Sequence, residues 1–200
     1  MTKRKKEIRT AALQAANEEQ KLSVTGYAAV FNERTLIWES KYSGYKYYEV
    51  VDSNAFTGAD ISDVVFRYNH KDTVLALART RNKTLSLTAD DHGLKINAEI
   101  ADTTSGRDVY ALIKRGDLDK MSFAFTVNKE KVEYDDTAKT CTRTILQFDK
   151  VFDVSVVDFP AYDGTEIATV ENRSAEYFQA LEEKVKEAEL RKKLLLRTYL

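Results

Sequence analysis

Between residues 23 and 159 the chain is a succession of short runs rich in branched and aromatic residues. They read "SVTGYAAVF", "YKYYEVV", "DVVFRY", "TVLALAR", "KTLSLTA", "GLKINAEIA", "KMSFAFTVNKEKVEY", "TRTILQF" and "KVFDVSVVDF". Runs of this length, separated by turn residues, suit strands rather than helices. All seven glycines and the single proline lie within residues 23–170, where a strand-rich chain must reverse direction. Asp90-Asp91-His92-Gly93 reads as a hairpin turn. One helix interrupts the series in "TTSGRDVYALIKRGDL". Thr104 or Ser105 is its expected cap, Val109, Leu112 and Ile113 share a face, and Gly116 is the stop. The fold class is therefore mainly β with helices, as a sandwich or a closed or partly closed β-barrel.

Two zones flank this core. Residues 1–22 are basic, then alanine-rich and acidic, without glycine or proline, and read as a helical or partly disordered arm. Lys3, Arg4, Lys5, Lys6 and Arg9 suit a solvated tail first and a nucleic-acid contact second. Residues 171–200 hold an amphipathic helix. Phe178, Leu181, Val185, Ala188, Leu195 and Tyr199 follow a 3–4 spacing that Lys192 interrupts, a stripe able to self-associate or to lie on the barrel.

Composition removes several function classes. A net charge of −1 gives no whole-molecule attraction to nucleic acid or anionic membrane. No apolar run approaches the roughly 18 residues of a membrane span, and "MTKRKKEIRT" lacks the apolar stretch of a secretory signal. Cys141 is the single cysteine and the histidines are two, which leaves neither a disulfide framework nor a zinc constellation. Phosphate-binding glycine loops are absent. No metal and no cofactor is expected.

Three residues remain as carriers of chemistry. His70 follows the alternation Val64, Phe66, Tyr68 and is expected to continue that face at a strand end, as a packed core residue or as a base. In "DKMSFAFTV", Met121, Phe123, Phe125 and Val127 share one strand face, while Ser122, Ala124 and Thr126 share the other. Ser122 is thus anchored by large neighbours, with small ones leaving its hydroxyl room. Asp153 interrupts an apolar strand, on the face read for Val151, Ser155 and Val157. A carboxylate there is costly unless paired, and its partner is either an imidazolium or a cation from a neighbouring strand. No local motif links the three residues, so pattern alone does not assemble them into a triad.

Taken in order, the runs resemble the prohead (capsid maturation) serine proteases of tailed phages. The matching pieces are the "GYAAVF"-like opening at 26–32, Asn69-His70, the hairpin at 79–87 and the helix ending near Gly116. The serine strand at 121–125 and the acidic V-S-x-V-x-x-P-A ending at 153–161 complete the series, over residues 23–165. Two departures stand out: Lys71 precedes Asp72 where the family often has aspartate after "NH", and "SFAF" lacks a nearby glycine. The family is similar to the herpesvirus maturation proteases, whose barrel encloses a helix.

The resemblance implies a herpesvirus-protease-like barrel over residues 23–170, with helices at both termini. It makes Ser122 the nucleophile, His70 the general base and Asp153 the third member. Ser155 is the alternative nucleophile, and His92 and Asp72 compete for the third role, the herpesvirus enzymes using a second histidine there. The implied function is a serine endopeptidase that processes scaffold and capsid proteins, and its own tail, inside the assembling procapsid in the host cytoplasm. It needs no cofactor, membrane or specific nucleic acid. The rivals are an inactive procapsid scaffold protein on the same barrel, and a binding module displaying Tyr45, Tyr47 and Tyr48 on one open face.

Overall fold

The computed structural model describes residues 7–15 through their backbone, and residues 21–73, 75–158, 177–184 and 186–187 with their side chains. The basic side chains of residues 3–6 and Arg9, the 159–161 end of the final motif, and Val185, Ala188, Lys192, Leu195 and Tyr199 of the tail lie outside the described residues.

The alternating runs form strands because alternation sends successive side chains to opposite faces. In chain order these are β1 (Glu7–Ala15), β2 (Ser23–Val30), β3 (Thr35–Glu39), β4 (Lys46–Val51) and β5 (Val65–Tyr68). β6 (Ala78–Arg79), β7 (Leu85–Ala89), β8 (Gly93–Glu99), β9 (Lys120–Asp135) and β10 (Thr140–Val157) follow, with α1 (Thr104–Arg115) between β8 and β9. Residues 177–184 form a second helix, α2.

The ladder runs β3-β4-β10-β9-β1-β2-β8-β7. β10 is its hub. β9 lines one edge antiparallel, and β4 and then β5 lie parallel along the other, because β10 is long enough to seat both end to end. β5 and β6 thus branch from the path instead of extending it. Among the described residues no ladder joins β3 to β7, so the closed barrel expected from sequence is not found, while the mainly β class with helices is. Side chains of β2, β5, β7, β8, β9, β10 and α1 nonetheless meet in one buried cluster, including Val24, Phe66, Leu85, Ile96, Phe123, Val154 and Ile113. A sheet whose distant strands share a core with one helix must curl around it.

Helix α1 begins one residue earlier than expected. Its cap is Thr103, whose side chain accepts from the Gly106 amide at 3.0 Å, and Gly116 ends it at φ 89°, a left-handed conformation that glycine adopts without penalty.

Three expectations change. The N-terminal helix is replaced at residues 7–15 by β1, which lies between β9 and β2 with Thr10 opposite Ser122 and Leu13 opposite Gly26. Helix propensity is a weak preference, and here an extended chain satisfies two strand edges that would otherwise expose unpaired backbone. "TVLALAR" yields only the two residues of β6, and Leu75 is 69% exposed, because the chain leaves β5 through a tight turn. β3, unmarked in the sequence, is a short strand whose single neighbour among the described residues is β4.

The start of α2 docks on the β3–β4–β10 end of the sheet. Phe178 is fully buried with Ile37, Tyr47 and Cys141, and Ser40 Oγ donates to Glu182 Oε1 at 2.8 Å. Beside them the buried Arg143 pairs with Glu49 at 3.2 Å and Glu130 at 2.5 Å. Its guanidinium lies 4.2 Å from the centre of the Tyr177 ring. Emptying the Phe178 slot is expected to cost about 3–5 kcal/mol. Phe178→Ala should therefore lower the denaturant midpoint clearly. An unaltered midpoint would make α2 a bystander.

Candidate active site

The site is built where β5 and β9 flank the C-terminal end of β10. Register fixes which side chains share a face. Val154 stands opposite Phe123 and Val156 opposite Met121, all in the main core. Asp153 stands opposite Ala124 and Ser155 opposite Ser122 on the other face. Directly opposed residues have Cα atoms roughly 4.5–5.5 Å apart, so Ser122, Asp153 and Ser155 form one cluster. The two faces of β9 divide as the sequence predicts over residues 121–126, but both are buried: Ser122 is 1% exposed and Thr126 4%.

The face read for Asp153 needs correction. The β9–β10 register shifts between Val151 and Asp153. Val151 opposes Phe125 and enters the core, whereas Asp153, two residues later, opposes Ala124. The extra residue is a β-bulge, which re-aims the side chains beyond it. Asp153 is thereby sent away from the face of Val151 and into the polar cluster.

His70 also leaves its expected face. Val64, Phe66 and Tyr68 point toward the main core. An extended chain would carry His70 roughly 16 Å beyond Val65, which is itself the partner of Asp153. Instead Asn69 and His70 both take positive φ, 52° and 55°, and the Lys71 amide donates to the Tyr68 carbonyl at 3.1 Å. Two consecutive positive φ values closed by such a bond define a type I′-like turn. It folds the imidazole back across β10.

There His70 Nδ1 meets Asp153 Oδ1 at 2.5 Å, with the two side chains 8% and 3% exposed. An ionised carboxylate only accepts, so Nδ1 carries a proton in this pairing, and in the neutral imidazole it is then Nε2 that holds the lone pair. Ser155 Oγ donates to Asp153 Oδ1 at 3.0 Å and accepts from the His70 amide at 3.2 Å. One buried hydroxyl thus ties carboxylate and histidine backbone together. Two buried side-chain atoms among the described residues lack any hydrogen-bond partner, and they are His70 Nε2 and Ser122 Oγ. They are not bonded to each other. Leaving a buried polar atom unpaired costs about 1–3 kcal/mol, a burden that structures tend to carry where chemistry needs it.

The competing residues are elsewhere engaged. His92 is exposed at the β7–β8 turn, with its amide donating to Asp90 at 2.9 Å and its ring edge-on to Tyr27 at 4.5 Å. Asp72 is 91% exposed and pairs with Arg67 at 3.2 Å. The tyrosines do not form an open binding face, since Tyr47 is buried against Phe178 and Tyr48 lies under the Arg34 guanidinium at 3.8 Å. Among the described residues no cluster of His, Cys, Asp and Glu could hold a metal ion, and no helix is long and apolar enough to cross a membrane.

Sequence reasoning missed the linking role of Ser155 and the turn residue Asn69. Asn69 carried a signal, because asparagine tolerates left-handed backbone better than most residues. Ser155 carried none, since its partners come from the turn after β5 and from two positions back along its own strand.

An imidazole held by a buried carboxylate, with a serine on the neighbouring strand of the sheet, supplies the residue types that serine hydrolases use, although those enzymes bond the serine to the imidazole. The family model described as caudovirus prohead serine protease matches residues 6–180. The chain belongs to that family, and β1, assigned from sequence to a separate arm, lies inside the match. No curated protein and no solved structure matches the chain.

Proposed function

We propose that this chain is an active serine endopeptidase of phage prohead maturation, with Ser122 as nucleophile, His70 as general base and Asp153 as the third member. The observation that carries the reading is the 2.5 Å bond between His70 Nδ1 and Asp153 Oδ1, with His70 Nε2 and Ser122 Oγ both buried and without a hydrogen-bond partner among the described residues. Catalytic hydrogen bonds are often long before substrate binds, so the open gap between base and nucleophile suits a resting site.

In the reaction, Ser122 Oγ attacks the scissile carbonyl carbon as its proton passes to His70 Nε2. Asp153 holds the imidazole in the accepting tautomer and stabilises its charged form. Collapse of the tetrahedral intermediate breaks the C–N bond, and the amine leaves with the proton from Nε2. Water then repeats the sequence on the acyl-enzyme, regenerating the serine. No metal or cofactor takes part.

The substrates under this reading are scaffold protein, the N-terminal arms of capsid subunits and the chain's own tail, inside the procapsid in the host cytoplasm. Neither membrane nor specific nucleic acid is required. Residues 23–170, with β1 added, act as the protease unit on a curled sheet related to the herpesvirus-type barrel. Residues 171–200 serve self-association or delivery. Co-expression with the capsid protein of the same phage, followed by mass-spectrometric mapping of new termini, tests the reading. New termini that vanish with Ser122→Ala support it. An intact capsid protein, with no fluorophosphonate labelling of the purified chain, would leave an inactive scaffold protein on the same fold.

A further inference from the structure

The turn that aims His70 is costly by itself. Left-handed backbone is penalised for residues with a Cβ, and here two follow one another, at Asn69 and His70. Something outside the turn must hold it. The Asn69 amide donates to the Val156 carbonyl at 2.9 Å, continuing the β5–β10 ladder by one bond. Beyond that point side chains take over. Asn69 Nδ2 donates to Asp158 Oδ2 at 2.7 Å, and the Asp158 amide donates to Asn69 Oδ1 at 3.0 Å. The pair therefore bonds reciprocally, as two strand residues would. Tyr68 Oη donates to both carboxylate oxygens of Asp158 at 2.6 Å. Burial first, and then the bond to Asp158, push the Tyr68 hydroxyl up to about 12, so it remains a donor throughout the working range.

These contacts flank the histidine on both chain sides, at Tyr68–Asn69 before it and at the end of β10 across from it. None of them touches the imidazole, Ser122 or Asp153. We infer that Asn69 and Asp158 are positioning residues of the protease site, whose reciprocal side-chain bond locks the left-handed turn and thereby holds His70 on Asp153. The inference rests on the proposed roles of His70 and Ser122. A turn-stabilising pair with no bearing on chemistry would show the same bonds, so the test must separate rate from folding.

Labelling of the full chain by a fluorophosphonate probe does so. Ser122 Oγ forms a bond to phosphorus, fluoride leaves, and the hydroxyl proton goes to His70 Nε2, so the rate constant reports how well the base is aimed. The endpoint reports how many molecules are folded. Asp158→Ala and Asn69→Gly should each slow labelling by about 10- to 100-fold while still reaching the parental endpoint. Asn69→Gly keeps the left-handed backbone open to the chain and removes only the amide, so it decides the question if Asp158→Ala fails to fold. Asp158→Asn, which can still accept from Asn69, should recover part of the rate.

A lowered endpoint at an unchanged rate constant, or parental labelling in both variants, would overturn the positioning role. Ser122→Ala is run in parallel. If it labels, the nucleophile assignment itself has failed; if it stays unlabelled while Asp158→Ala and Asn69→Gly keep the parental rate, the positioning role alone has failed.

Discussion

Ser122→Ala is expected to give a folded chain that cleaves nothing. Removing a serine nucleophile from an assembled triad lowers turnover on the order of 10⁶-fold, and the proposed mechanism offers no substitute. Ser155 Oγ is engaged with Asp153 and with the His70 amide, and it makes no bond to Nε2. The same substitution carries a stability signature. Ser122 Oγ is buried and has no partner among the described residues, so deleting it removes an unsatisfied polar group, and stability should hold or rise by about 1 kcal/mol. Ser155→Ala should do the reverse, losing two bonds and about 1–3 kcal/mol. Paired denaturation curves and capsid-processing assays check both. Processing that persists in Ser122→Ala but disappears in Ser155→Ala would transfer the nucleophile to β10.

The second large effect is expected at Asp153. Asp153→Asn keeps the shape but loses the charge, and an amide facing Nδ1 through its NH₂ group selects the wrong tautomer. Turnover should fall on the order of 10²–10⁴-fold, with folding largely retained. Because Asp153 also accepts from Ser155 at 3.0 Å, some loss of stability accompanies the change, and labelling endpoints correct for it. His92→Ala is the control. His92 is exposed at the β7–β8 turn and stacked edge-on against Tyr27, so its removal should alter the rate no more than a few-fold. Reversal of the two effects would make the triad of the Ser-His-His kind and leave Asp153 a structural partner.

The strands and the central helix were legible because their determinants are local. Period-2 alternation marks β5 and the 121–126 segment of β9 without reference to any neighbour, and Gly116 marks the end of α1 by its own backbone freedom. The residue types of the candidate site were equally visible: a serine among large anchors, an acid in an apolar strand, and a histidine at a strand end.

The pairing of His70 with Asp153 was not visible, because nonlocal features produce it, and β1 was missed for a nonlocal reason as well. A bulge in the β9–β10 ladder turns Asp153 off the face of Val151, and a bulge exists only relative to a partner strand. The left-handed turn at Asn69-His70 reverses the side on which the histidine stands, and the end of β10 holds that turn in place. β1 is a strand because β2 and β9 each leave an edge that needs pairing, against the helical leaning of its own alanines. Sequence by itself determined most of the extended segments from β2 onward, the helix α1 and the residue types that can do chemistry. Tertiary structure decided faces and pairings, since a one-residue shift in register inverts every side chain beyond it, and the strand across the ladder sets that register.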